Sequence, residues 1–128
     1  IISSMQQTPR PPAATMRPRA VSPNAIRRLA SQIAARFSPV KIVLFGSHAA
    51  GKALPGSDVD LLVVMHTKRE EDQSLRIRRS IDCVFGLNLV VRTPETIRQR
   101  LPLGDFFLRG ILEGGKTLYE SPHNGTDE

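Results

Sequence analysis

Apolar residues recur along this chain with two different periods. Ile26, Leu29, Ala30, Ile33, Ala34 and Phe37 fall at helical spacing, with Ser22 or Asn24 placed to cap the helix and Ser38-Pro39 to end it. Two short continuous runs follow, Ile42 to Phe45 and Leu61 to Met65, the pattern of strands buried on both faces. Thr67 to Ser80 predicts a surface helix with sparse apolar positions at Leu75, Ile77 and Ile81; its charges at Arg69, Glu70, Glu71 and Asp72 suit helical near-neighbour pairs. Leu87 to Arg92 predicts a third strand, and Pro94 to Leu101 a helix with proline in its first turn. Asp105 to Glu113 predicts a last helix carrying Phe106, Phe107, Leu108, Ile111 and Leu112, stopped by Gly114-Gly115, and Lys116 to Tyr119 a short terminal strand. The expected fold is α/β (α+β): a small mixed sheet of three or four strands flanked by helices.

The polar interruptions between the first two strands carry the chemistry. Gly46-Ser47 closes the first strand, Pro55-Gly56 marks a turn, and Asp58-Val59-Asp60 opens the second. Side chains alternate along a strand, so Asp58 and Asp60 point the same way. Two adjacent carboxylates repel and resist desolvation unless a cation lies between them. Mg²⁺ suits such a pair, since it takes one or two carboxylates and completes its shell with water and substrate phosphates. About 12 residues is the least that a parallel crossover with its helix requires, so this connection predicts an antiparallel pair. That pairing brings Gly46-Ser47 and the two aspartates to one end of the sheet. Gly46 would let backbone approach a ligand, and a turn over Ser47 to Lys52 would offer N–H groups to a phosphate. The surface helix then carries the chain back, so that Leu87 starts beside Asp58 and runs parallel to the second strand.

Composition narrows the setting. A chain of 128 residues makes one small domain, expected here at residues 24–120, and any substrate-recognition domain is expected from a partner. The net charge of +6 draws on Arg10, Arg17 and Arg19 in a segment, Ile1 to Pro23, that has five prolines and no acid. That segment reads as a disordered basic tail, and Ser121 to Glu128 as a frayed one. With the excess charge partly in the tail and no interleaved aromatics, a nucleic-acid partner is disfavoured. The single Cys83 fits a reducing cytoplasm and excludes an internal disulfide. No run is long and apolar enough for a membrane span.

The residues Gly46-Ser47, Gly51 and Ser57-Asp58-Val59-Asp60-Leu61 resemble the Gly-Ser…Asp-x-Asp signature of the DNA polymerase β-like nucleotidyltransferase superfamily, most nearly its minimal nucleotidyltransferases. The similarity covers about Pro39 to Glu120. It implies a polymerase β palm-like fold and transfer of a nucleoside monophosphate from a nucleoside triphosphate, ATP foremost, to an acceptor hydroxyl. It further implies that Gly46, Ser47, Lys52 and Ser57 handle the phosphates, that Asp58 and Asp60 bind Mg²⁺, and that a third acidic ligand stands near the start of the third strand. Here that position is Asn88. A neutral amide oxygen neither holds a second ion as a carboxylate does nor accepts a proton, so the alternative function is a catalytically impaired nucleotide- or partner-binding module. Asp82, Glu95 and Glu113 are the remaining acids weighed as substitutes. The resemblance also implies a partner, a small all-helical HEPN protein paired as toxin with antitoxin, in a homo- or hetero-oligomer.

Other chemically capable residues have plainer readings. His48 is either a phosphate contact or proton shuttle, or a partly exposed loop histidine. Cys83 reads as a small core residue, Tyr119 as structural, and Phe106-Phe107 as core rather than as a base-stacking platform. His66 and His123 lack zinc spacing.

Overall fold

A computed structural model describes residues 20–122. The tail segments at residues 1–19 and 123–128 lie outside the described residues. In chain order the elements are α1 (Pro23–Phe37), β1 (Lys41–Phe45), α2 (Gly46–Ala50), β2 (Val59–Val64), α3 (Glu70–Ser80), β3 (Leu87–Arg92), α4 (Pro94–Arg100), α5 (Phe106–Gly114) and β4 (Lys116–Glu120). The four strands form one sheet in the order β3-β2-β1-β4. β1 pairs antiparallel with β2 and with β4, whereas β2 and β3 run parallel, so the sheet is mixed as expected.

β2 carries five apolar residues out of six because both of its faces are covered. Val59, Leu61 and Val63 point into a core with Ile26, Leu29, Ala30 and Ile33 of α1 and Ile77 of α3. Leu62 and Val64 point the other way, onto Val43 and Ile111 of α5. Leu61 and Leu62 are both fully buried. Each such side chain contributes about 1.5–3 kcal/mol by leaving water. The apolar faces of α1 and α5 therefore fix the sheet between two helical layers, and the polar residues at the head of β2 are left at its rim.

Local chemistry explains where the observed boundaries differ from those expected. α1 begins at Pro23, inside the segment assigned to the tail, because Ser22 Oγ accepts from Ala25 N at 3.1 Å and proline needs no helical donor in the first turn. α3 begins at Glu70 rather than Thr67: Arg69 provides no capping acceptor, and Thr67 instead bonds locally to Arg69 N. Of the sparse apolar positions of this surface helix, Ile77 is buried and Leu75 is 47% exposed, and Gln73 joins Ile77 on the inward side. α3 also protects the β3 edge, since Ser74 Oγ donates to Leu89 O at 2.9 Å and Arg78 Nη1 to Leu87 O at 2.6 Å.

The largest departure is in α5. Phe106 is 79% and Phe107 52% exposed, so the expected Phe106-Phe107 core does not form. Only Leu108 and Ile111 of this helix are buried, one turn apart. Asp105 acts as its N-cap rather than its first residue, accepting from Leu108 N at 3.0 Å, and its carboxylate also accepts from Arg100 Nε at 2.7 Å. Leu103, Phe106 and Phe107 are all left open to solvent.

Candidate active site

Asp60 is the second residue of β2 and is held in register from both sides, opposite Phe45 of β1 and beside Asn88 of β3. Paired residues share a sheet face, so Phe45, Asp60 and Asn88 make one row across three strands. Asn88 Nδ2 donates to Asp60 Oδ1 at 2.8 Å. A carboxylate only accepts, so the amide must present its NH₂ side. Asp58 lies two residues earlier, on the same face by alternation and exposed at the sheet rim.

Each carboxylate is seated against a glycine. A Cβ on Gly46 would overlap Asp60 Oδ2, and one on Gly86 would overlap Asp58 Oδ1. Gly46 is also in the left-handed region, at φ +75, where the chain leaves β1 and enters α2. Gly86 has no such backbone requirement. Its place follows from pairing: Val59 lies beside Leu87, and Val59 N donates to Gly86 O at 2.9 Å, which brings Gly86 next to Asp58.

The connection from α2 back to β2 is held by a few hydrogen bonds. Gly51 closes α2 at φ +73, and Lys52 N donates to Ser47 O at 2.9 Å. Pro55 and Gly56, the latter at φ +87, form the corner of a tight turn in which Leu54 N donates to Ser57 Oγ and Ser57 N to Leu54 O, both at 2.9 Å. His48 Nε2 lies 3.2 Å from Ser57 O. A carbonyl accepts, so Nε2 carries the proton, and this contact ties α2 to the residue just before Asp58.

Of the residues singled out in the sequence, Gly46, Asp58, Asp60 and Asn88 come together at one rim, with Ser47 half-buried in the first turn of α2 beside them. Lys52 is exposed beyond the end of that helix, and the Ser57 hydroxyl is engaged within its own turn. Glu95 faces His66 and Arg98 at 3.6 and 3.8 Å, and Asp82 is bonded through its backbone N–H to Gln32 Oε1 at 2.8 Å. Among the described residues no group of three or more His, Cys, Asp or Glu side chains could hold a metal ion, so none of the acids weighed as substitutes makes up for Asn88. The sequence reading did not pick out Gly86 or Phe45. The expected parallel alignment of Leu87 with Asp58 was the signal for the first, and the antiparallel pairing of β1 with β2 the signal for the second.

A family model described as "Nucleotidyltransferase domain" matches residues 26–116, from α1 to the first residue of β4, and so takes in the whole rim. The chain belongs to this family. It is a polymerase β-like nucleotidyltransferase domain, as its Gly-Ser…Asp-x-Asp pattern implied. The nucleotidyltransferase is 30% identical over 79 residues to a Methanocaldococcus jannaschii protein named "Putative protein adenylyltransferase", a match that covers 62% of this chain and 77% of the relative. It also aligns with the crystal structure of "a putative nucleotidyltransferase" from Sulfolobus solfataricus at 22% identity and a TM-score of 0.48, over 60% of this chain and 70% of that one. Among the described residues of the nucleotidyltransferase, no helix is long and apolar enough to cross a membrane.

Proposed function

We propose that this nucleotidyltransferase is metal-dependent and moves a nucleoside monophosphate, adenylate foremost, from a nucleoside triphosphate to a hydroxyl of a partner protein. The observation that carries the reading is the pair Asp58 and Asp60 on one face, each set against a glycine, beside the turn that Gly46 opens. The donor set fits one divalent ion: two carboxylates supply charge and leave positions for water and phosphate oxygens, as Mg²⁺ prefers. Asp58 and Asp60 would hold it, and when bound it neutralises charge on the phosphates. Asn88 adds no acid for a second ion.

The residues around the pair act by positioning. Ser47 and the N–H groups after Gly46 orient the triphosphate, with Lys52 and Ser57 on the same connection between α2 and β2. The acceptor oxygen then bonds to the α-phosphorus while the bond to the β-phosphate oxygen breaks, pyrophosphate leaves, and the proton of the hydroxyl passes to solvent water. The Asn88 amide cannot take the proton of the acceptor hydroxyl. Losing that help commonly lowers a rate by about 10²–10⁴-fold, so a slow enzyme with a well-positioned partner acceptor is the expected form. A protein acceptor accords with the name of the archaeal relative, and the family resemblance points to a small helical HEPN protein as toxin to this antitoxin-like chain.

A second reading is favoured by one contact, the hydrogen bond from Asn88 to Asp60. A neutral amide that donates to Asp60 steadies the carboxylate without a second acid, as suits a module that binds nucleotide and transfers nothing. Calorimetric titration of ATP with Mg²⁺, run beside a pyrophosphate-release assay with a HEPN-type partner present, separates the two. Release that is lost in Asp58→Asn supports the transferase. Binding without release, with release gained in Asn88→Asp, supports the module.

A further inference from the structure

The row of Phe45, Asp60 and Asn88 continues past β1. Phe107 of α5 meets Phe45 edge-to-face, with ring centroids 5.7 Å apart and planes at 90°. One line on one sheet face thus runs from amide to carboxylate to a supporting ring to a ring that is 52% exposed. Phe45 immediately precedes Gly46, so the aromatic step begins where the phosphate turn begins. We propose that Phe107, braced by Phe45, is the platform on which the nucleobase of the substrate stacks, and that the domain prefers purine nucleoside triphosphates. This rests on the nucleotide-handling role proposed above.

Three features support a platform. An exposed phenylalanine at a polar rim keeps apolar area in water that a flat, π-faced ligand would cover. The Phe107 ring is held at its base: the Asp105 cap and the Arg100–Asp105 pair fix the start of α5, while Leu108 and Ile111 anchor its buried side. Little conformational freedom is then lost on stacking. Finally, no hydrogen-bonding base reader is needed, because every base has a π-face and the larger ring system of a purine covers more of the phenyl group. Phe106 is the internal control. It is next in sequence and more exposed, yet it points about 100° away around the helix.

The test is calorimetric titration of the full chain with ATP, GTP, CTP, UTP and inorganic tripolyphosphate, each with Mg²⁺. The wild type is compared with Phe107→Leu, which keeps apolar packing on Phe45 but removes the π-face, and with Phe107→Tyr, Phe106→Ala and Leu103→Ala. Stacking worth about 1–3 kcal/mol corresponds to 5- to 150-fold weaker ATP binding in Phe107→Leu. Tripolyphosphate binding should be unchanged, Phe107→Tyr should restore ATP affinity, and ATP and GTP should bind tighter than CTP and UTP. Wild-type ATP affinity in Phe107→Leu overturns the platform, as does an equal loss for ATP and tripolyphosphate. Equal weakening by Phe106→Ala and Leu103→Ala also overturns it, since the effect would then not be specific to Phe107. If the wild type binds tripolyphosphate as tightly as ATP, only the platform falls; if it binds neither, the nucleotide-handling role falls with it.

Discussion

Replacing Gly86 with alanine adds one methyl group to the chain, and the structure places that methyl on a single target. The three nearest atoms to a Cβ at this position all belong to the Asp58 side chain, with Cγ at 2.9 Å and Cβ at 3.6 Å behind the overlapping Oδ1. Asp58 is exposed, so its carboxylate can swing into solvent and relieve the overlap. The folded state then bears at most an off-rotamer cost of about 0.5–1.5 kcal/mol. Against this, alanine restricts the unfolded chain relative to glycine, which stabilises by about 0.4–1 kcal/mol where φ is ordinary, as it is here. The two nearly cancel. Net stability should stay within about 1 kcal/mol, or roughly 4–8 °C in Tm for a domain of this size. The site fares differently, because one of its two carboxylates loses its seat. Residues that orient a metal ligand are typically worth 10–100-fold in affinity or activity, and a loss of that order is expected in the Mg²⁺-dependent nucleotide binding proposed above. Thermal melts and titrations of ATP against Mg²⁺ concentration read the two effects separately. Wild-type Mg²⁺ dependence in Gly86→Ala would refute the seating argument, and a fall in Tm well beyond 8 °C would show that the glycine serves the fold. Gly46→Ala is the contrast: at φ +75 it adds backbone strain of about 1–2 kcal/mol to the displacement of Asp60, so stability and function should fall together.

Three further outcomes follow. Asn88→Asp exchanges a donor 2.8 Å from Asp60 Oδ1 for a like charge, which should destabilise the protein by about 1–4 kcal/mol without divalent ions, with recovery on adding Mg²⁺, read by melts with and without the ion. His48→Ala removes the contact to Ser57 O; a cost of about 0.5–1.5 kcal/mol and faster hydrogen exchange at amides 54–59 are expected, and unchanged exchange there would show that the turn stands without it. The Asp105 carboxyl is held below the usual carboxylate range, first by the Arg100 hydrogen bond and then by the Leu108 N–H. A lowered folded value means that the contribution is complete above the unfolded pKa of about 3.9 and is lost as pH falls through the folded one. Asp105→Asn keeps a capping acceptor and loses the charge, so its Tm deficit at neutral pH should narrow below about pH 4; a constant deficit would assign the effect to the cap.

The sheet was legible in the sequence because its determinants are local. Runs such as Ile42 to Phe45, a connection too short for a crossover, and a charged helix returning the chain together dictate an antiparallel pair with a parallel third strand, as found. Asp58 and Asp60 followed from alternation alone. What failed had no local signature. Phe106 and Phe107 carry the composition of a core, but Leu108 and Ile111 take the buried side of α5 and leave the two rings outside it. The inward place of Gln73 beside Ile77 on α3 likewise had no signal in the pattern of apolar residues. The glycine seats depend on distances between strands, which no spacing along the chain records.

The two-sided pairing of Asp60 has a consequence for how this protein can go wrong. Sliding β2 by one residue against its neighbours would turn Asp60 inward, among Ile33, Ile42 and Ile77, while lifting Leu61 into water. An unpaired acid in that interior is costly, so the aspartate disfavours the slipped alignment. A variant with Asp60 changed to leucine would lose this safeguard as well as its chemistry, and misaligned, aggregation-prone sheets are the form its failure should take.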